Sequence, residues 1–125
     1  MPEGDLVRLL TSSTVIPDVM ANPVLRDDQG RRLTTPDVWI DDVAMAVMVH
    51  SRQFHEDSLD WEATVESDAD LASAQIIVVP VTPASIHRRP QTVLATVERA
   101  YLEARRIGSR APVTASPRTP LSFAS

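Results

Sequence analysis

Two polar stations bracket the most apolar stretch of this chain. Pro36-Asp37 stands just before Val38-Trp39-Ile40, and Val43 to Val49 runs without a charge into His50-Ser51-Arg52-Gln53-Phe54-His55. Carboxylate and imidazole are metal-ligand types, but each has a plainer role as well. Asp37 could cap a turn, and His50 could be satisfied by backbone at a strand end. A second group, Arg88, Arg89, Arg105 and Arg106, forms a basic region able to contact phosphate, although cations also suit helix C-termini without any ligand. Cysteine is absent, which excludes disulfides, thiolate metal sites and thiol nucleophiles. No glycine-rich phosphate loop, zinc spacing or nucleophile elbow occurs.

These residues need a scaffold, and hydrophobic spacing supplies one. Leu6, Val7, Leu9 and Leu10 predict a helix over about 3–11, with Glu3 and Asp5 at the positive end of its dipole. Val24-Leu25-Arg26, the turn Asp28-Gln29-Gly30 and Arg31-Arg32-Leu33-Thr34 predict a hairpin. Residues 37–40 and 43–49 read as two strands, the second uniformly apolar and therefore central. Over 58–73, Trp61, Val65, Ala69 and Ala72 predict the sheet-facing stripe of an amphipathic helix. Ile76 to Val79 reads as a buried strand closed by Pro80. Pro90 then opens a helix carrying Val93, Leu94, Val97, Ala100, Tyr101 and Ala104 on one side, which Gly108 ends. The expected organisation is one α/β (α+β) domain over 1–108, with a mixed central sheet of about four to five strands flanked by helices. A disordered tail is expected over 109–125.

Charge narrows the partners. The net charge is −5, and all 12 basic residues are arginine. Residues 1–86 carry 15 acids against 5 arginines, whereas 87–125 carry 7 arginines against Glu98 and Glu103. Such a body repels phosphate over most of its surface, so nucleic-acid binding is expected to be weak and confined to the C-terminal third. The acidic start and the lack of a long apolar run predict neither secretion nor a membrane span, hence a cytoplasmic protein.

The layout of Pro36-Asp37, a spacer of about ten residues and a strand ending in spaced polar residues resembles the PD-(D/E)XK nuclease superfamily. It is most similar to the very-short-patch-repair-like endonuclease domains of actinobacterial type. Trp61-Glu62, the Thr-Pro at 82–83 and Arg89-Pro90 extend the likeness over roughly 3–104. The resemblance implies a restriction-endonuclease-like fold, with carboxylates at strand ends holding a cation that activates water against a phosphodiester. Asp37 matches the motif aspartate, and Glu3 or Asp5 matches the acid on the first helix. Ser51, Arg52 and His55 also agree. Met48, however, stands where the family has glutamate, His50 where it has aspartate, and Gln53 where it has another acid. A thioether is a poor ligand for Mg²⁺. Where the family carries arginines and a histidine after Trp-Glu, this chain has Glu66-Ser67-Asp68-Ala69-Asp70, a phosphate-repelling run.

The resemblance so altered implies a catalytically inactive endonuclease-like domain without a cofactor, kept as a binding or scaffolding module for a protein partner or for itself. Asp37, Met48 and His50 would be vestigial positions. One alternative is an active metal-dependent endonuclease with a site rearranged around Asp37, His50 and Glu3 or Asp5, using Mn²⁺ or Zn²⁺ rather than Mg²⁺. Another is a non-catalytic nucleic-acid-binding module using the C-terminal arginines.

Overall fold

A computed structural model describes residues 2–50 and 58–117, apart from the side chains of residues 2, 3 and 58–61. The order is α1 (Pro2–Thr11), β1 (Met20–Ala21), β2 (Val24–Arg26), β3 (Val38–Ile40), β4 (Met45–Val49), α2 (Ser58–Ser73), β5 (Ile77–Val81), α3 (Pro83–Arg88), α4 (Pro90–Ile107) and β6 (Thr114–Ser116). Four strands form a mixed sheet in the order β1-β3-β4-β5. The first two pairings are antiparallel and β4–β5 is parallel, so a crossover is required, and α2 lies within it. The expected fold class, a mixed sheet flanked by helices, is what the structure shows. Among the described residues no helix is long and apolar enough to cross a membrane.

Strand alternation sorts the core into two layers. Val38, Ile40, Met45, Val47, Val79 and Val81 face α1, α3 and α4, meeting Leu6, Leu10, Ile86, Val93, Val97 and Tyr101. Trp39, Ala46 and Met48 face the other way, toward Leu71 of α2 and the small sheet in which β2 pairs with β6. β4 is buried on both sides, which explains its unbroken apolar sequence. In α4, proline at the first position, a buried stripe of Val93, Val97, Tyr101 and Ala104, and Gly108 at φ 75 agree with the expected helix.

Four expectations need correction or refinement. The helix over 58–73 exists, but Val65, Ala69 and Ala72 are exposed, and among its described side chains Leu71 is the buried one. The side chain of Trp61 lies outside the described residues. The hairpin after β2 is present but short, with one bridge from Arg26 to Arg32 flanked by the Asp27 N–H to Arg31 and Leu33 N–H to Leu25 hydrogen bonds, each 2.9 Å, and β2 takes its regular partner from the far end of the chain. That partner is β6, so residues 109–117 are not a disordered tail: Ala111 and Val113 are almost fully buried. Residues 118–125 lie outside the described part. Finally, β5 continues through exposed Pro80 to Val81, because it is an edge strand where a missing N–H can be tolerated. Thr82 then caps the short α3, accepting from the Ser85 N–H.

Candidate functional site at the edge of the central sheet

The antiparallel register, Val38 opposite Val47, continues to place Asp37 opposite Met48. Asp37 shares the sheet face of Trp39 by alternation, and Met48 is buried on that face. The half-buried Asp37 carboxylate accepts the Val49 N–H at 2.7 Å, which latches the start of β3 onto the end of β4. The ten-residue spacing therefore brings the two positions together as expected. Their meeting place is the α2 side of the sheet, whereas α1 packs on the opposite side.

His50 follows β4 and holds the edge together from the other direction. Its backbone N–H donates to the Val81 carbonyl at 2.8 Å, and its ring Nε2 lies 3.1 Å from Asp68 Oδ2 on α2. The ring is largely buried, at 15% exposure. The second oxygen of Asp68 is buried without a hydrogen-bond partner among the described residues. A carboxylate fixed on one imidazole nitrogen sets the orientation of the ring, and here it also ties α2 to the strand end.

The remaining candidate ligands do not join them. Asp5 is exposed on α1 and pairs with Arg8 one turn away. The Glu3 side chain, Ser51, Arg52, Gln53 and His55 lie outside the described residues. Among those described, no three histidine or carboxylate side chains converge on a point that could hold a metal ion. A cation at Asp37 and His50 thus lacks a third described ligand.

The acids of α2, expected to form a repelling face, are largely engaged. Asp68 holds His50. Asp70 accepts from the Thr34 N–H and hydroxyl, both at 2.8 Å, and from the Arg31 guanidinium at 3.3 Å. Burial alone would raise the Asp70 pKa, but these donors outweigh it and hold the carboxyl below its ordinary range. Among the described side chains of this helix, Glu62 and Glu66 are the plainly exposed acids.

The four candidate arginines also separate. Arg105 lies 3.1 Å from both Asp42 and the Tyr101 hydroxyl, which itself donates to Asp42 at 2.6 Å. The tyrosine hydrogen bond, aided by Arg105, keeps Asp42 below its usual pKa despite some desolvation. Arg106 pairs with Glu103 on its own helix. Arg110, in the same basic C-terminal region, joins Asp41 to the carbonyls of Ala111 and Val113 and so helps to fix the segment leading to β6. Arg88 and Arg89, by contrast, are exposed at the α3–α4 junction and line an open cleft with Thr82, Ala84 and Ser85.

Sequence reasoning missed Asp68, Asp70, Thr82 and Ser85. The Thr-Pro pair followed by Ser85 is a legible helix-capping signal, but nothing local announces the partners of the two aspartates. No family model, curated protein or solved structure matches the chain.

Proposed function

We propose that this chain is a PD-(D/E)XK-like domain that does not cleave and acts as a binding or scaffolding module for a protein partner or a second copy. The observation that carries this reading is the Asp37 carboxylate bound to the Val49 N–H, in a strand register that, extended by one residue, sets Asp37 opposite Met48. The residue opposite the one carboxylate of the motif is a thioether packed into the core, and the carboxylate already accepts a backbone N–H. Mg²⁺ needs several oxygen ligands, and among the described residues no three carboxylate or histidine side chains gather beside Asp37 to supply them. A rearranged site through His50 is disfavoured in the same way, because its Nε2 faces Asp68. The acid-rich surface favours a protein partner over a long polyanion. The lack of cysteine suits a reducing compartment, and we place the protein in the cytoplasm.

The test is incubation with single- and double-stranded DNA in Mg²⁺, Mn²⁺ or Zn²⁺, with no cleavage expected. Cleavage that disappears in Asp37→Ala would overturn the reading and establish an active enzyme. Met48→Glu with His50→Asp adds two carboxylates beside Asp37 and near Asp68. That variant should gain a cation-dependent rise in Tm, because an ion bound only by the folded state stabilises it.

A further inference from the structure

The described arginines are of two kinds. Arg8, Arg31, Arg105, Arg106 and Arg110 each lie against a carboxylate. Arg26, Arg32, Arg88, Arg89 and Arg99 make no such pair among the described residues, and of these Arg88 and Arg89 together border one cleft, while a second cleft shares Ser85 and Arg89 with it and runs on past Thr92 and Thr96. No carboxylate lines either cleft among the described residues, although the chain as a whole is acidic.

We propose that this cleft binds a dianionic phosphate group, inorganic or carried as a monoester, through the guanidinium groups of Arg88 and Arg89 and the hydroxyl of Ser85. The backbone holds these groups in place before any ligand arrives. The Arg89 N–H donates to the Ser85 carbonyl at 2.8 Å, and the Arg89 carbonyl accepts from Thr92 and Val93 N–H, each at 3.1 Å. Pro90 then restricts the next dihedral, so the arginine stem starts from a fixed base. Ser85 is set likewise. Its N–H donates to Thr82 Oγ1 at 3.1 Å, and the Thr82 hydroxyl donates to Ser85 Oγ at 2.9 Å. This leaves the Ser85 hydroxyl proton to donate into the cleft.

Charge favours a small ligand. Two neighbouring guanidinium groups without a counter-charge repel each other, and a doubly charged phosphate between them removes that repulsion while accepting several charge-assisted hydrogen bonds. An extended polyanion would gain the same contacts but would also cross the acid-rich remainder of the surface. The cleft and the Asp37–Met48 corner involve different residues, so this proposal does not depend on whether the protein cleaves DNA.

The experiment is an NMR titration of the full chain, without divalent metal, following the arginine side-chain N–H signals. Its arms are inorganic phosphate, phenyl phosphate and a single-stranded oligonucleotide without terminal phosphates. Phosphate and phenyl phosphate should shift the Arg88 and Arg89 signals saturably, and the oligonucleotide should not. Arg88→Gln and Arg89→Gln should each weaken binding about tenfold, as expected for loss of a charge-assisted hydrogen bond. Ser85→Ala should weaken it by a smaller factor, and Arg105→Gln should leave it unchanged. Each arginine variant alters an exposed side chain, so the fold is kept. No saturable shift with either phosphate would overturn the proposal, as would equal weakening by Arg105→Gln. Tighter binding of the oligonucleotide would overturn the assignment to a monoester.

Discussion

Replacing Asp70 by alanine should destabilise the protein far more than replacing Glu66, although both are acids on the same helix. The Asp70 side chain is 27% exposed and receives two 2.8 Å hydrogen bonds from Thr34, one of them from the backbone N–H. A hydrogen bond to a charged acceptor contributes about 1.5 kcal/mol at the low end of its range. The Arg31 contact is long and its guanidinium half exposed, so it adds at most a few tenths of a kcal/mol. Discounting for solvent at the carboxylate leaves a loss of about 2 kcal/mol, or a fall in Tm of roughly 6–10 °C for a chain of this size. Glu66→Ala, at an exposed position, should stay within about 0.5 kcal/mol. Urea denaturation of the two variants beside the parent measures the difference. The sign of the pH dependence follows from the lowered Asp70 pKa. Its contribution is complete above the unfolded value of about 4 and is lost as pH falls through the depressed folded value. The gap between the parent and Asp70→Asn should therefore narrow in acid. Equal losses for Asp70→Ala and Glu66→Ala would refute the claim that Asp70 docks α2 onto the segment before β3.

Leu71→Ala should cost about 2–5 kcal/mol in the same assay, since Leu71 is fully buried, whereas Val65→Ser should be close to neutral at a half-exposed site. Deleting residues 112–125 should lower Tm markedly, because it removes β6 and Val113, whose burial contributes about 1.5–3 kcal/mol by itself. An unchanged Tm would show that β6 does not seal the core. Tyr101→Phe should cost about 1 kcal/mol by removing the donor to Asp42, measurable by thermal or urea unfolding. Asp42 should then titrate at a higher pH by NMR, because the hydrogen bond that chiefly lowers its pKa is gone.

Helix α4 was legible because several signals coincide: proline at the start, four aligned apolar positions and a glycine at the end. Helix α2 was legible as a helix and misread in orientation. Apart from Trp61, whose side chain lies outside the described residues, its apparent apolar stripe rests on Val65 and two alanines, and alanine favours helix without favouring burial. Among the described side chains, the inward side is set instead by Leu71 and by two aspartates whose partners lie 18 to 39 residues away. Residues 109–117 looked structureless because β6 is short and edge-like. Alternation of Ala111, Val113 and Ala115 was the only trace of a strand, and it is too brief to stand out. At the candidate site, the Asp37–Met48 juxtaposition followed from a strand-turn-strand spacing. The division of the arginines into paired and unpaired depends on the tertiary structure.

The pairing of Val24 with Ser116 bears on how the chain reaches its native state. Closing a loop of about ninety residues costs roughly 4 kcal/mol of chain entropy, so this sheet should be among the last parts to form. During synthesis, the α1 side of the core can assemble once α4 has left the ribosome, while Leu25 and Leu33 wait for Val113 and Ala115 to emerge. Until then a nascent chain presents the unpaired edge of β2 above an incompletely covered Trp39 and Met48, which is the kind of surface a chaperone recognises.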